Sequence, residues 1–153
     1  MSRKRPLMRI LGIDYGDRHI GLALSDPLLL TAQPLGTYRL TGREKDDRAY
    51  FQDLVARHDV WEIVIGDPLR MDGTEGTRAA KTRGFAAWLK KAVGKPIVFV
   101  DERLTTKQAG RILRDESLRG RKKKSREDQI SAVIILSTHL ERIRGESDGP
   151  QSD

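Results

Sequence analysis

Apolar residues fall along the chain in short blocks whose spacing switches between strand-like and helix-like. Met8, Ile10, Leu11 and Ile13 are nearly continuous, which predicts a strand over 8–14 buried on both faces. After the short turn Tyr15-Gly16-Asp17-Arg18, Ile20, Leu22 and Leu24 alternate with Gly21, Ala23 and Ser25. That predicts a second strand, 19–25, returning as an antiparallel hairpin with its small residues sharing one face. A third strand is expected within 28–38, with Pro34 marking an edge or a bulge. Phe51, Leu54, Val55 and His58 then recur at helical spacing, behind a capping-box arrangement at Thr41-Gly42-Arg43-Glu44. His58 reads as the C-terminal end of that helix. Ile63-Val64-Ile65-Gly66 and Ile97-Val98-Phe99-Val100 read as buried strands on either side of a helix carrying Phe85, Trp88, Leu89 and Ala92, closed by Gly94 and Pro96. A further helix, capped by Thr105 or Thr106, is expected to carry Ala109, Ile112 and Leu113 on its apolar face. The last helix opens at Ser125, and Ile130, Val133, Ile134, Ile135 and Leu136 make it apolar on most sides. The order β-β-β-α-β-α-β-α-α predicts an α/β fold. Its sheet is mixed and five-stranded, with helices on both faces and the later strands parallel to the first.

Length and charge narrow this picture. A chain of 153 residues reads as one domain, placed at 7–143, with residues 1–6 and 144–153 as disordered tails. No apolar run approaches the roughly 20 residues of a membrane span. The chain has no cysteine, which removes disulfides and thiolate metal sites and fits a cytoplasmic protein. The net charge of +7 is concentrated: between Arg103 and Arg126, cations outnumber acids ten to two. Lys107, Arg111 and Arg114 form a stripe on the expected helix, and Arg119–Lys124 has no apolar period, so it reads as a loop. Such a block suits a polyanionic partner, nucleic acid above all; the plainer reading is a solvated basic loop.

Acids end up at three comparable places in this order. Asp14 ends the first strand, Asp101 and Glu102 end the last one, and Asp128 lies in the first turn of the final helix. In open α/β sheets, sites gather at the carboxyl ends of parallel strands. Carboxylates without His or Cys form a hard-oxygen set suited to Mg²⁺ or Mn²⁺, and a two-metal arrangement serves phosphate chemistry. Each acid also has a structural reading. Asp14 can cap its turn, Asp128 can act as a capping-box acid for Ser125, and the 101–102 pair can be a surface turn beside Arg103. Adjacent strand residues point oppositely, so only one of Asp101 and Glu102 is expected to face a common site.

Four motifs occur in order: Gly12-Ile13-Asp14-Tyr15-Gly16 with Arg18, Ile20 and Gly21; Gly66-Asp67-Pro68 with Met71-Asp72-Gly73-Thr74-Glu75; Asp101-Glu102-Arg103-Leu104-Thr105-Thr106; and Asp128 with Ser131-Ala132-Val133-Ile134-Ile135-Leu136. With these the chain resembles the YqgF family, also called RuvX, over about residues 8–142. The resemblance implies an RNase H-like fold and a nuclease. It implies maturation of the 5′ end of pre-16S rRNA, with the small-subunit precursor as a partner, or cleavage of branched DNA as a Holliday junction resolvase. It also implies that Asp14, Glu102 and Asp128 are catalytic and bind the metal ions, with Asp101 the alternative within its pair. The expected nucleic-acid contacts are Arg18, Lys107, Arg111, Arg114, Arg121, Lys122, Lys123, Lys124 and Arg126. Asp67 departs from the family pattern, which carries an uncharged residue there, so an extra acid near the site enters the picture. No organic cofactor is implied.

Two readings from other classes stand beside this one. A nucleotide-binding phosphotransferase of the actin/sugar-kinase type shares a Gly-Ile-Asp-x-Gly hairpin, but needs two domains, and the length supplies one. The other is a non-catalytic RNA-binding factor, which would have no use for the set of acids.

Overall fold

The Leu11–Ile13 run is apolar because helices cover its strand on both faces of the sheet. The computed structural model describes residues 8–68, 76–102 and 123–148, with the side chains of the last segment described at 127–145. In chain order the elements are β1 (Arg9–Tyr15), β2 (His19–Ser25), β3 (Ala32–Arg39), α1 (Glu44–Arg57), β4 (Val60–Asp67), α2 (Thr77–Val93), β5 (Ile97–Asp101) and α3 (Lys123–Asp148). They form a five-stranded sheet in the order β3-β2-β1-β4-β5. The β1–β2 and β2–β3 pairs are antiparallel, while β1–β4 and β4–β5 are parallel. This is the mixed sheet the apolar spacing predicts. Pro34 lies on the edge strand, at a register shift opposite Leu22 and Ala23, where its missing N–H disturbs no ladder on the outer side.

Side-chain alternation divides the core into two layers. Leu11, Ile13, Ile20, Leu22, Ile63 and Ile65 meet Phe51, Leu54 and Val55 of α1 and Phe85, Ala86 and Leu89 of α2. On the opposite face, Ile10, Ala23, Val64 and Val100 meet Ala132, Val133, Ile135, Leu136 and Leu140 of α3. Each fully buried Leu, Ile or Phe contributes about 1.5–3 kcal/mol relative to exposure. Small residues let α3 lie close: a Cβ added to Gly12 would stand 2.7 Å from the Leu136 Cβ.

Some boundaries and caps differ from expectation. The Thr41–Glu44 capping box does not form; α1 starts after Arg43 without a side-chain cap. Asp47, buried in the first turn of α1, instead accepts hydrogen bonds from Thr41 N–H at 3.0 Å, the Thr41 hydroxyl at 2.9 Å and the Tyr38 hydroxyl at 2.6 Å. One buried carboxylate thus organises the β3–α1 connection. His58 closes α1, as expected. β4 begins at Val60, earlier than Ile63. α3 starts at Lys123 and continues to Asp148, beyond the expected end of the domain at 143. Once a helix is nucleated, each added residue gains a backbone hydrogen bond at low cost. The expected helix after Thr105 or Thr106, the 119–122 part of the basic run and the Met71–Glu75 motif lie outside the described residues.

Candidate active site

Asp14 owes its direction to strand alternation. Its neighbours Ile13 and Tyr15 face α1 and α2, where Tyr15 stacks on Phe85 at 4.5 Å between centroids. Asp14 therefore shares the α3 face with Ile10 and Gly12. Directly across the hairpin it is paired with Gly21. A Cβ at Gly21 would lie 2.0 Å from the backbone oxygen of Asp128, so only glycine lets the α3 residue Asp128 settle there. Gly66 plays the same part on the other side. It shares the α3 face with Val64, and a Cβ there would stand 2.6 Å from Glu102 Oε1. Glycines on the strands flanking β1 thus open the floor on which the acids meet.

The electrostatics show that they meet. The Asp14 carboxyl is pushed up to about 7, first by burial and then by the negative charge of Glu102. The positive charge of Arg78 opposes this shift; a hydrogen bond between the Asp14 and Glu102 carboxyls and the charge of Asp128 add to it. One Asp128 oxygen, Oδ2, is sealed from solvent. A hydrogen bond between two carboxyls needs one shared proton, which a raised Asp14 holds near neutrality. Among the described residues, no group of three or more His, Asp or Glu side chains is placed so that it could hold a metal ion as it stands.

The 101–102 pair is resolved by the same alternation. Val100 lies in the α3-side core, so Asp101 turns to the α2 side, in register with Asp67. Glu102 reaches back to Asp14 and Gly66. Asp67 is not an additional acid of the cluster: it is buried on the α2 side, and Arg83 N–H donates to its Oδ2 at 2.7 Å. The Arg83 guanidinium also sits 5.5 Å from the centre of the Phe99 ring. Arg18 is exposed at the tip of the β1–β2 turn. Lys107, Arg111, Arg114, Arg121 and Lys122 lie outside the described residues. Lys123, Lys124 and Arg126 belong to the start of α3, with side chains outside the described set. Reading residue types alone missed Arg78, whose cation faces the acid cluster from α2. Its signal in the sequence is weak, because it is one of several cations on that helix.

A family profile described as "RuvX: Holliday junction resolvase" matches residues 8–142. The chain belongs to the RuvX family. This RuvX-family chain is 45% identical over 136 residues to a Moorella thermoacetica protein named "Putative pre-16S rRNA nuclease", covering 89% of this chain and 96% of that one. A Syntrophus aciditrophicus protein of the same name is 45% identical over 139 residues, covering 91% and 92%. Among solved structures, RuvC of Thermus thermophilus superposes with a TM-score of 0.57 at 14% identity, covering 90% of this chain and 97% of that one. Thermus thermophilus RuvC bound to a Holliday junction substrate superposes with a TM-score of 0.54 at 17% identity, covering 90% and 96%. These two structures share the RNase H-like fold with the RuvX-family chain. No helix among its described residues is long and apolar enough to cross a membrane.

Proposed function

We propose that this protein is a divalent-metal-dependent endonuclease that hydrolyses phosphodiester bonds during maturation of the 5′ end of pre-16S rRNA, within one nuclease domain over residues 7–143. The observation that carries the reading is the meeting of Asp14, Glu102 and Asp128, which come from three separate segments of the chain. They meet at the carboxyl ends of parallel strands, where sites of such sheets form. The donor set fits Mg²⁺ or Mn²⁺: it is all carboxylate oxygen, shielded, and mutually repulsive unless a proton or a cation intervenes. Asp14, Glu102 and Asp128 would hold the ions. When bound, such ions supply Lewis acidity toward a phosphate oxygen and lower the pKa of a water molecule.

The chain's own groups contribute the rest. Gly21 and Gly66 keep the approach to Asp14 open for Asp128 and Glu102. Arg78 brings positive charge to the cluster and is exposed, in place to attract a phosphate. Lys123 opens α3, and at 1.5 Å per residue it is about 7.5 Å along the axis from Asp128. The end of the basic run is therefore joined to the acid end of the fold, a placement suited to phosphate contacts that carry little sequence information. The names of the relatives favour pre-16S rRNA as substrate. The family description favours a second substrate, branched DNA.

One incubation series tests both. Pre-16S rRNA carrying its 5′ extension and a four-way DNA junction are given to wild type and Asp14→Asn, with Mg²⁺, Mn²⁺ or EDTA. Expected is cleavage of the RNA by wild type with metal and none by the variant. Cleavage surviving in EDTA or in Asp14→Asn overturns the metal assignment, and cleavage of the junction alone overturns the rRNA assignment.

A further inference from the structure

The turn between β1 and β2 and the end of β3 enclose a second feature at the end of the sheet where Asp14 stands. Asp17, Arg18, Arg39, Leu40, Thr41 and Gly42 line an open depression of about 640 Å³. Arg18 and Arg39 are both exposed, and no ion pair to either occurs among the described residues. The backbone beneath them is held. Leu40 N–H donates to the Arg18 carbonyl at 2.9 Å, and Arg39 is in register with His19 across the β2–β3 ladder. Two guanidiniums on a fixed frame are suited to bidentate phosphate recognition. The one carboxylate in the lining, Asp17, is 3.9 Å from Lys81 of α2; this exposed pair is weak, so Asp17 opposes an anion only in part.

Location gives the depression its meaning. Asp14 enters the turn and Arg18 leaves it, so both stand at the same end of the sheet. A chain of phosphates lying on the acid cluster needs cations beside it; the turn offers Arg18 close to Asp14 in the chain, and β3, two strands from β1, offers Arg39 in register with His19. We infer that the Arg18–Arg39 depression binds a phosphate of the substrate strand next to the one that is cut. This deepens the nuclease reading and rests on it. The shared chemistry is the phosphodiester backbone, common to RNA and DNA.

The test is binding without cleavage. Fluorescence anisotropy in EDTA follows a labelled RNA with the pre-16S 5′ cleavage sequence, and a DNA of the same sequence, across a salt series. Arg18→Gln with Arg39→Gln is compared with Arg48→Gln with Arg57→Gln. The latter removes the same charge from α1, where Arg48 pairs with Glu44 and Arg57 with Asp53. The first pair is expected to weaken binding of both probes about tenfold and to reduce the salt slope by about 1 to 2. The α1 pair should leave the slope unchanged. Asp17→Asn should tighten binding about twofold by removing the opposing carboxylate. Equal losses in the two double variants, or no loss in the first, overturn the inference. If wild type cleaves RNA while Arg18→Gln/Arg39→Gln binds as wild type does, the depression fails and the nuclease reading survives. If binding depends on the depression but nothing is cleaved under any metal, the nuclease reading fails instead.

Discussion

Replacing Asp14 by asparagine separates what the acid cluster costs the fold from what it does. In the native chain the Asp14 carboxyl stands at about 7, against an ordinary 3.8, through burial first and then the charge of Glu102. A folded-state value above the unfolded one means that the native chain binds the extra proton. Its stabilising contribution is complete below pH 3.8 and is lost as pH rises through about 7. The shift of about 3 units corresponds to about 4 kcal/mol at pH 8, at 1.36 kcal/mol per unit. Asparagine carries no charge, and its amide N–H can donate to Glu102 as the protonated carboxyl does. Metal-free Asp14→Asn is therefore expected to exceed wild type by up to about 4 kcal/mol at pH 8, or roughly 10 °C in Tm for a chain of this size. The two proteins should converge below pH 3.8, where Asp14 becomes neutral in both folded and unfolded wild type. Urea unfolding in EDTA at pH 4, 6 and 8 reads this directly. Mg²⁺ or Mn²⁺ then adds a second arm: ion at about 100 times Kd should raise wild-type stability by about 2.7 kcal/mol and leave the variant unmoved. A gap between the proteins that does not widen from pH 4 to pH 8 refutes the electrostatic argument. Equal stabilisation of both by the ions refutes the assignment of Asp14 as a ligand.

Glu102→Gln should abolish Mn²⁺ binding measured by calorimetry, whereas Asp101→Asn should retain it, because alternation turns Asp101 to the α2 side; the reverse ranking sinks the assignment. Gly21→Ala should cost about 3 kcal/mol in urea unfolding, since its Cβ would meet the Asp128 backbone oxygen at 2.0 Å. Gly84→Ala, in α2 with nothing within 4 Å of the added Cβ, should instead stabilise by up to about 1 kcal/mol. For Asp47, burial raises the carboxyl's pKa, but hydrogen bonds from Tyr38, Thr41 and Gly42 outweigh it and hold the value below the ordinary one. Its contribution is present above the unfolded value and lost as pH falls through the lowered one. Asp47→Asn should therefore cost about 2–3 kcal/mol at pH 7, with a smaller loss at pH 3, as followed by chemical denaturation; a cost independent of pH would count against the carboxylate.

Residue spacing alone predicted the order of the described elements and the class of the sheet, and the motifs named the candidate acids. Apolar period is a local property: Leu11–Ile13 needs cover on both faces wherever its partners come from, and the small residues of β2 announce a close neighbour on that side. The motifs also brought forward Asp14, Asp128 and the Asp101–Glu102 pair with no help from geometry, and left the choice within that pair open. Local spacing misled at Thr41–Glu44, where a capping box is written but a buried carboxylate, Asp47, binds Thr41 instead, because Tyr38 reaches it from another element. What belongs to tertiary structure is which groups share a face and at what distance. Asp67 reads as an acid beside the site, yet alternation along β4 sends it to Arg83 on the far side of the sheet. Arg78 is one cation among many in the sequence and becomes distinct only where α2 brings it to Asp14. Asp101 and Glu102 are neighbours in the chain, and the pleat of β5 alone decides that Glu102 meets Asp14. The raised value of Asp14 has the same origin: burial and repulsion exist only after segments far apart in sequence have been packed together.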